Sequence, residues 1–273
     1  MMGFAALYPS YVFRRLRNPM SAIPPERPLA VLAITRAGVA LAGAVVQAQP
    51  GARLYAPEAM RALAEAAAPG VCTCYSGPLR DLIPELFADC GGIVAIFSLG
   101  ALVRLIAPHL RDKYRDPAVV VLDEAGRFVV PVLSGHLGGA NALAGRLAAA
   151  LGATPVLTTA SDVRQTLAVD LLGRELGWTV ATSANDLLRA SAAVVNDEPV
   201  ALVQEAGSSD WWAGHANGRA GPLPGNLHCY GALESVDLDR YRAILWITDR
   251  AKPPSLDGFN GALVIYRVPE VTP

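Results

Sequence analysis

A chain of 273 residues with 52% hydrophobic and only 17% charged side chains carries enough apolar material for one large core or two modest ones. Its formal net charge of −1 leaves no broad basic surface for nucleic acid or an anionic membrane, so neither is an expected partner, although a local basic pocket stays open. The longest uncharged apolar stretch, residues 91–103, falls short of the roughly 20 residues a spanning helix needs, and a cytoplasmic protein is expected.

Residues 1–26 hold a short apolar patch and then a basic one, the reverse of a secretory signal, and are expected to be a disordered extension. Next, "LAVLAIT" (29–35) has the length of a buried strand, and "RAGVALAGAVVQA" (36–48) has helical apolar spacing. "ARLYAP" and "VCTCY" read as further strands. "PEAMRALAEAAA" reads as a helix with Pro57 near its first turn, and "PLRDLIPELFADC" as one interrupted by Pro84. "GGIVAIFS" (91–98) and "LGALVRLIAPHL" (99–110) repeat the strand–helix pair. This alternation predicts an α/β fold, a mostly parallel sheet flanked by helices.

The pattern then changes. Runs 118–122 and 128–133 flank the polar link "DEAGR", which predicts an inserted β-hairpin with Gly126 at the positive φ of its turn. A helix is expected over 140–151, a strand at "TPVLTT", and a helix from about Val163 to Leu176 with Asp162 at its N-cap. "WTVAT", "DLLRASAAVVND", "PVALVQEA", "RAILWITDR" and "ALVIYRVP" predict a second, smaller α/β set, interrupted by a Gly/Pro/Asn-rich loop at 213–232. The expected organisation is an extension at 1–26, an N-terminal α/β domain at 27–161 and a smaller central α/β domain at 162–270.

Ligands of parallel α/β sheets gather at the carboxyl ends of strands, where helix N-termini point free N–H groups. Three polar clusters fall at such predicted ends and are expected to converge: "FSLGALVR" (97–104), "SGHLGGAN" (134–141) and "TTASD" (158–162). Without a Cβ, Gly138 and Gly139 let a ligand oxygen approach the backbone at a helix start; they equally permit a tight turn and close packing. Ser134, Gly135 and Asn141 belong to the same junction. His136 stands among them as a candidate general acid or base, or as a structural histidine bonded to a carbonyl. Thr158, Thr159, Ser161 and Asp162 offer polar contacts, Asp162 being as readily an N-cap. Arg104 and Lys113 are candidates to pair with ligand carboxylates, or are ordinary surface cations.

Other chemistries lack their signatures. Neither G-x-G-x-x-G nor G-x-x-x-x-G-K-[ST] occurs, so a nucleotide is not the indicated ligand, and the absence of G-x-S-x-G argues against a serine hydrolase. Cys72, Cys74, Cys90 and Cys229 do not have zinc or redox spacing, and read as small buried side chains in a reducing compartment. His109, His215 and His228 have no metal-ligand spacing either; no metal site is expected. Trp211 and Trp212 in "DWWAGH" supply either an apolar wall for a flat ligand or core packing.

The stretches "VRLIAP", "DK" followed by "DPAVVVLDEAG", "LSGHLGGAN" and "TTASD" resemble the signature block of the cobalt-precorrin-5A hydrolases of anaerobic cobalamin biosynthesis. The likeness continues more weakly through "AVDLLGRELGW" and "ITDR", covering roughly residues 28–268. The resemblance implies an enzyme that opens the ring A acetate δ-lactone of a cobalt-bearing tetrapyrrole. It then expels C20 with its methyl group as acetaldehyde, giving cobalt-precorrin-5B. A substrate so rich in acetate and propionate suits glycine-bared N–H groups and scattered basic residues. No cofactor is implied, because the cobalt arrives with the substrate. A non-catalytic tetrapyrrole-binding subunit or carrier of the same pathway is the alternative. Many members continue into a third domain beyond the point where this sequence reaches "VIYRVPEVTP". That domain is then encoded separately, dispensable or cut away, and the first case implies a C-terminal-domain protein as partner.

Overall fold

Strand β1 (Leu29–Ala33) is buried along its whole length, and so are β4 (Gly92–Ile96) and β5 (Ala118–Leu122). Continuous apolar runs of this kind suit a parallel sheet covered on both faces. In the computed structural model, which describes residues 27–112, 115–209, 211–212 and 222–269, they are joined by β2 (Ala52–Pro57), β3 (Cys72–Tyr75), β6 (Phe128–Leu133) and β7 (Thr154–Pro155). The seven strands lie in the order β3-β2-β1-β4-β5-β6-β7. The first five run parallel; β6 is antiparallel to β5 and β7 parallel to β6.

Helices α1 (Arg36–Ala48), α2 (Arg61–Ala67) and α5 (Ala140–Leu151) cover one face, and α3 (Ile83–Asp89) and α4 (Leu99–Ile106) the other. The Thr35 hydroxyl starts α1 by accepting the Gly38 N–H. On α5, Leu143 and Leu147 are fully buried, with Ala140, Ala144 and Ala148 between them. Each such leucine stabilises the fold by about 1.5–3 kcal/mol, and the alanines let the helix lie close to the sheet.

A second sheet has the order β10-β9-β11-β12-β8, from β8 (Thr179–Val180), β9 (Val200–Gln204), β10 (Leu227–Tyr230), β11 (Ala243–Ile247) and β12 (Ala262–Arg267). Four strands are parallel and β8 is antiparallel at the edge. Helix α7 (Ala184–Val195) packs on one face, its N-cap Ser183 accepting the Asp186 N–H. Short 3₁₀ turns close the other face over Trp246.

The α/β class, the two sheets and the 118–133 hairpin agree with expectation, Gly126 having φ +65°. Several expectations are corrected. No helix spans 163–176: a one-turn helix α6 (Ala160–Val163) stops where Gln165 takes φ +51°, and two 3₁₀ turns follow, Gly173 at φ +71° separating them. Asp162 lies inside α6 and Thr159 holds the N-cap position. "TPVLTT" supplies only two strand residues. The described end of the 213–232 loop contains β10, whose "LHCY" pairs with β9. Trp211 and Trp212 are buried in the second core, so the apolar-wall alternative falls away. Cys229 is exposed, and Cys72 and Cys74 only half-buried. Residues 1–26, Lys113 and His215 lie outside the described residues.

The hairpin has the largest consequence for the site. Because β6 reverses direction, the carboxyl ends of β6 and β7 lie beside the amino end of β5. The Ser134 hydroxyl accordingly donates to the Asp116 carbonyl, just ahead of β5. The 97–104 cluster follows the carboxyl end of β4 and is therefore at the opposite end of the sheet.

Candidate active site

Ser134 leaves β6 with φ +56°, a conformation that costs a non-glycine residue on the order of 1 kcal/mol or more. The turn that follows is tight enough to require glycine. A Cβ on Gly138 would sit 2.3 Å from the Ser134 Cβ, and one on Gly135 2.8 Å from Asn141 Oδ1. Gly139 takes φ +86° immediately before α5. The N–H groups of Gly139, Ala140 and Asn141 donate to the carbonyls of His136, Ser134 and Gly135, at 3.0, 3.1 and 3.0 Å. These donors serve the turn itself. Of the two roles open to Gly138 and Gly139, the geometry supports the tight turn: they shape the loop that presents His136.

His136 projects from that turn and is about one-fifth exposed. Its Nε2 lies 3.0 Å from Ser161 Oγ and 3.2 Å from Asp162 Oδ2. Its Nδ1 lies 3.4 Å from Asp170 Oδ1. The Asp162 carboxylate also accepts from Asn141 Nδ2, at 2.7 Å, and from the Thr159 hydroxyl. Asn141 Nδ2 reaches Thr159 Oγ1 as well, at 2.9 Å, while its own Oδ1 is buried without a partner. Hydrogen bonding to Asp162 first and Asp170 second pushes the imidazole up to about 9; partial burial acts in the opposite direction and is outweighed. At neutral pH the ring is an imidazolium held between two carboxylates.

Asp170 comes from the other half of the molecule. It sits in the 3₁₀ turn 169–171, whose neighbours Leu167, Val169 and Leu172 belong to the second core. The fully buried Tyr266 of β12 donates to the Val169 carbonyl at 2.7 Å and fixes that turn. Arg174 Nη1 donates to the Leu137 carbonyl at 2.8 Å, tying the next turn to the histidine loop. A cleft of about 390 Å³ opens between the two halves. Its lining combines polar residues, among them Ser134, His136, Thr159, Ser161 and Asp170, with apolar ones, among them Leu137, Leu167, Val169, Leu187, Leu188 and Val195.

Seven of the expected residues thus meet: Ser134, Gly135, His136, Asn141, Thr159, Ser161 and Asp162. Thr158 is exposed and outside the cleft lining. Arg104 turns back along α4 to donate to the Gly100 carbonyl at 2.9 Å, and the reversed hairpin places it away from the cluster. Asp170 is absent from the sequence-based candidates. In "AVDLLGREL" it reads as one polar position of an amphipathic helix, and only the weak continuation of the family likeness touched it.

An α/β scaffold with a histidine–carboxylate centre at a strand-end cleft defines a site suited to proton transfer. Comparison with known proteins narrows this. Residues 81–162 match the family "Cobalamin synthesis G N-terminal", and residues 167–267 match "Cobalamin biosynthesis central region". The chain belongs to this cobalamin-biosynthesis family. It is 46% identical over 193 residues to the cobalt-precorrin-5A hydrolase of Priestia megaterium, and 36% identical over 193 residues to that of Salmonella typhimurium LT2. Each match covers 71% of this chain and 50% of the relative, so the chain spans about half the length of these curated relatives. A solved structure from Sulfolobus solfataricus, described as a cobalamin biosynthesis protein G homolog, covers 88% of this chain and 60% of its own, at 17% identity and a TM-score of 0.45.

Proposed function

We propose that this chain carries the hydrolase centre named for its relatives: it opens the ring A δ-lactone of cobalt-precorrin-5A, and acetaldehyde is released. The supporting observation is His136, held between Asp162 and Asp170 in a cleft that apolar side chains also line. Lactone opening needs a group that delivers a proton to the departing C20 oxygen and helps a nucleophile lose one. An imidazole clamped by carboxylates on both nitrogens does the first as imidazolium and the second as neutral base. Small-molecule sites run from about 300 to 1,000 Å³, so a cleft at the lower end of that range suits one pyrrole edge with its lactone, the rest of the macrocycle resting outside. The apolar lining suits the ring, and Leu188, two-thirds exposed, extends that wall to solvent.

The cobalt is part of the substrate in this reading, and the protein brings no cofactor of its own. Four free cysteines accord with a cytoplasmic setting, and among the described residues no helix is long and apolar enough to cross a membrane. The matched relatives are about twice as long as the region they share with this chain, which supports including a separately encoded C-terminal-domain protein among the partners tested. The experiment is acetaldehyde release by the purified protein supplied with cobalt-precorrin-5A, with and without that protein. Tight binding of the macrocycle with no acetaldehyde under either condition identifies a carrier and overturns the hydrolase reading.

A further inference from the structure

Three side chains from separate segments meet in succession at the cleft. Asp170 Oδ1 is 3.4 Å from His136 Nδ1, and His136 Nε2 is 3.0 Å from Ser161 Oγ. Carboxylate, imidazole and hydroxyl in that order form the constellation that activates a serine for acyl transfer, and it is recognised by geometry and role, whatever the chain order. Here the order along the chain is His136, Ser161, Asp170, with no G-x-S-x-G element. The absence of that element had argued against a serine hydrolase; the spatial arrangement reverses the inference.

Ser161 is nearly buried yet lines the cleft. A buried hydroxyl finds a partner, and this one has the His136 imidazole, a group able to take its proton and return it. Asp162 Oδ2, which also accepts from Asn141 and Thr159, shares the Nε2 side at 3.2 Å, and the serine at 3.0 Å is the nearer of the two; on deprotonation Nε2 turns from donating to Asp162 to accepting from Ser161. Tyr266 and the second core hold Asp170 on the Nδ1 side.

We infer that Ser161 is the nucleophile of this site, with His136 as its base and Asp170 as the positioning residue, so that lactone opening passes through an acyl-serine. The inference rests on the lactone-hydrolase reading for its substrate. Ser161 Oγ forms a bond to the lactone carbonyl carbon while its proton passes to His136 Nε2. The bond from that carbon to the C20 oxygen then breaks, and the same proton moves to the departing oxygen. Water next attacks the acyl-serine; His136 takes a water proton and returns it to Oγ, releasing the free acetate. The groups facing His136 are Asp162 of α6, Ser161 beside it and Asp170 of the 3₁₀ turn, with Arg174 bonded to the adjoining Leu137 carbonyl. Since those carboxylates keep the resting ring protonated, serine reactivity climbs with pH towards about 9 and then levels off.

The test uses the full chain and a fluorophosphonate ester, which transfers its phosphonyl group to an activated serine with loss of fluoride. Peptide mass mapping is expected to find the adduct on Ser161. Labelling rates rise between pH 6 and 9, are abolished in Ser161→Ala and fall at least about 10²-fold in His136→Ala. Asp170→Asn shifts the pH midpoint of labelling downward, which a merely structural role would not do. Ser161→Cys, tested with iodoacetamide, keeps the inference testable should the alanine variant fold poorly; its alkylation is expected to depend on His136. Cobalt-precorrin-5A turnover by Ser161→Ala is expected to drop about 10³-fold or more. Turnover within tenfold of wild type, or labelling that spares Ser161 in the folded wild-type protein, overturns the serine and leaves the hydrolase reading intact. Labelling at Ser161 by a protein that never releases acetaldehyde has the opposite meaning: the triad stands and the substrate assignment fails.

Discussion

Each sheet builds a carboxylate-centred cluster at strand ends, and the two clusters behave differently. In the second sheet Glu205, just past β9, is about one-tenth exposed. It accepts from the Leu233 N–H, Trp246 Nε1, Thr248 Oγ1 and Arg250 Nη1, each at 2.9 Å. Every partner donates to the carboxylate, and the Thr248 hydroxyl is itself fixed by accepting the Arg250 N–H at 3.0 Å, so the cluster has one arrangement. At the first sheet, Asp162 and Asp170 share an imidazole that can hold or release a proton, and a hydroxyl faces the cleft beside it. Saturated donors make a rivet. A titratable partner on an open wall makes a reactive site.

His136→Ala gives the largest expected effect in breaking that contrast: turnover falls about 10²–10⁴-fold while macrocycle binding changes little. Steady-state acetaldehyde release with parallel binding titrations checks it, and near-normal turnover would reduce His136 to a structural residue. Glu205→Ala should do the reverse. It strands the Trp246 and Thr248 donors, and losing buried hydrogen-bond partners costs on the order of 2–4 kcal/mol in all. A lower urea midpoint with unchanged turnover per folded molecule is expected; loss of turnover at full stability would put Glu205 in the chemistry.

Stability against pH sharpens the same distinction. The folded imidazole titrates near 9, above the ordinary value of about 6.5. Its contribution is therefore complete below about 6.5 and disappears as pH rises through about 9. The wild-type Tm should decline across that window, and His136→Gln should flatten the decline; parallel slopes would remove the carboxylate clamp as its cause. Arg104→Ala is the smallest expected change. That side chain is exposed at the far end of the sheet from the cluster, so turnover should stay within about twofold and stability within about 0.5 kcal/mol. A large loss would mean that the macrocycle reaches round to the carboxyl end of β4.

Much of this was legible from local pattern. The buried strands "LAVLAIT" and "GGIVAIFS", the amphipathic α5 and the hairpin around Gly126 follow from periodicity and turn chemistry, which depend on near neighbours alone. The polar junctions "SGHLGGAN" and "TTASD" stood out because a packed core has no use for those residues at a strand end. Local pattern also misled. "VRQTLAVDLLGREL" has a helical spacing of apolar residues, yet the second core takes up Leu167, Val169 and Leu172 from an irregular arm, with Gln165 and Gly173 at positive φ. Tertiary packing outweighed propensity there. The same arm carries Asp170 to His136.

The residues by themselves determined which segments are strands and helices, where glycine was needed, and that His136 sits in a polar turn. Tertiary structure decided which of the three polar loops share an end of the sheet, and that decision rests on one antiparallel strand: the direction of β6 relative to β5 is a hydrogen-bonding choice between distant segments. It also decided the partners of His136. A proton is held by whatever lies within a few ångströms, and only the docking of the two cores brings the Asp170 carboxylate to the imidazole.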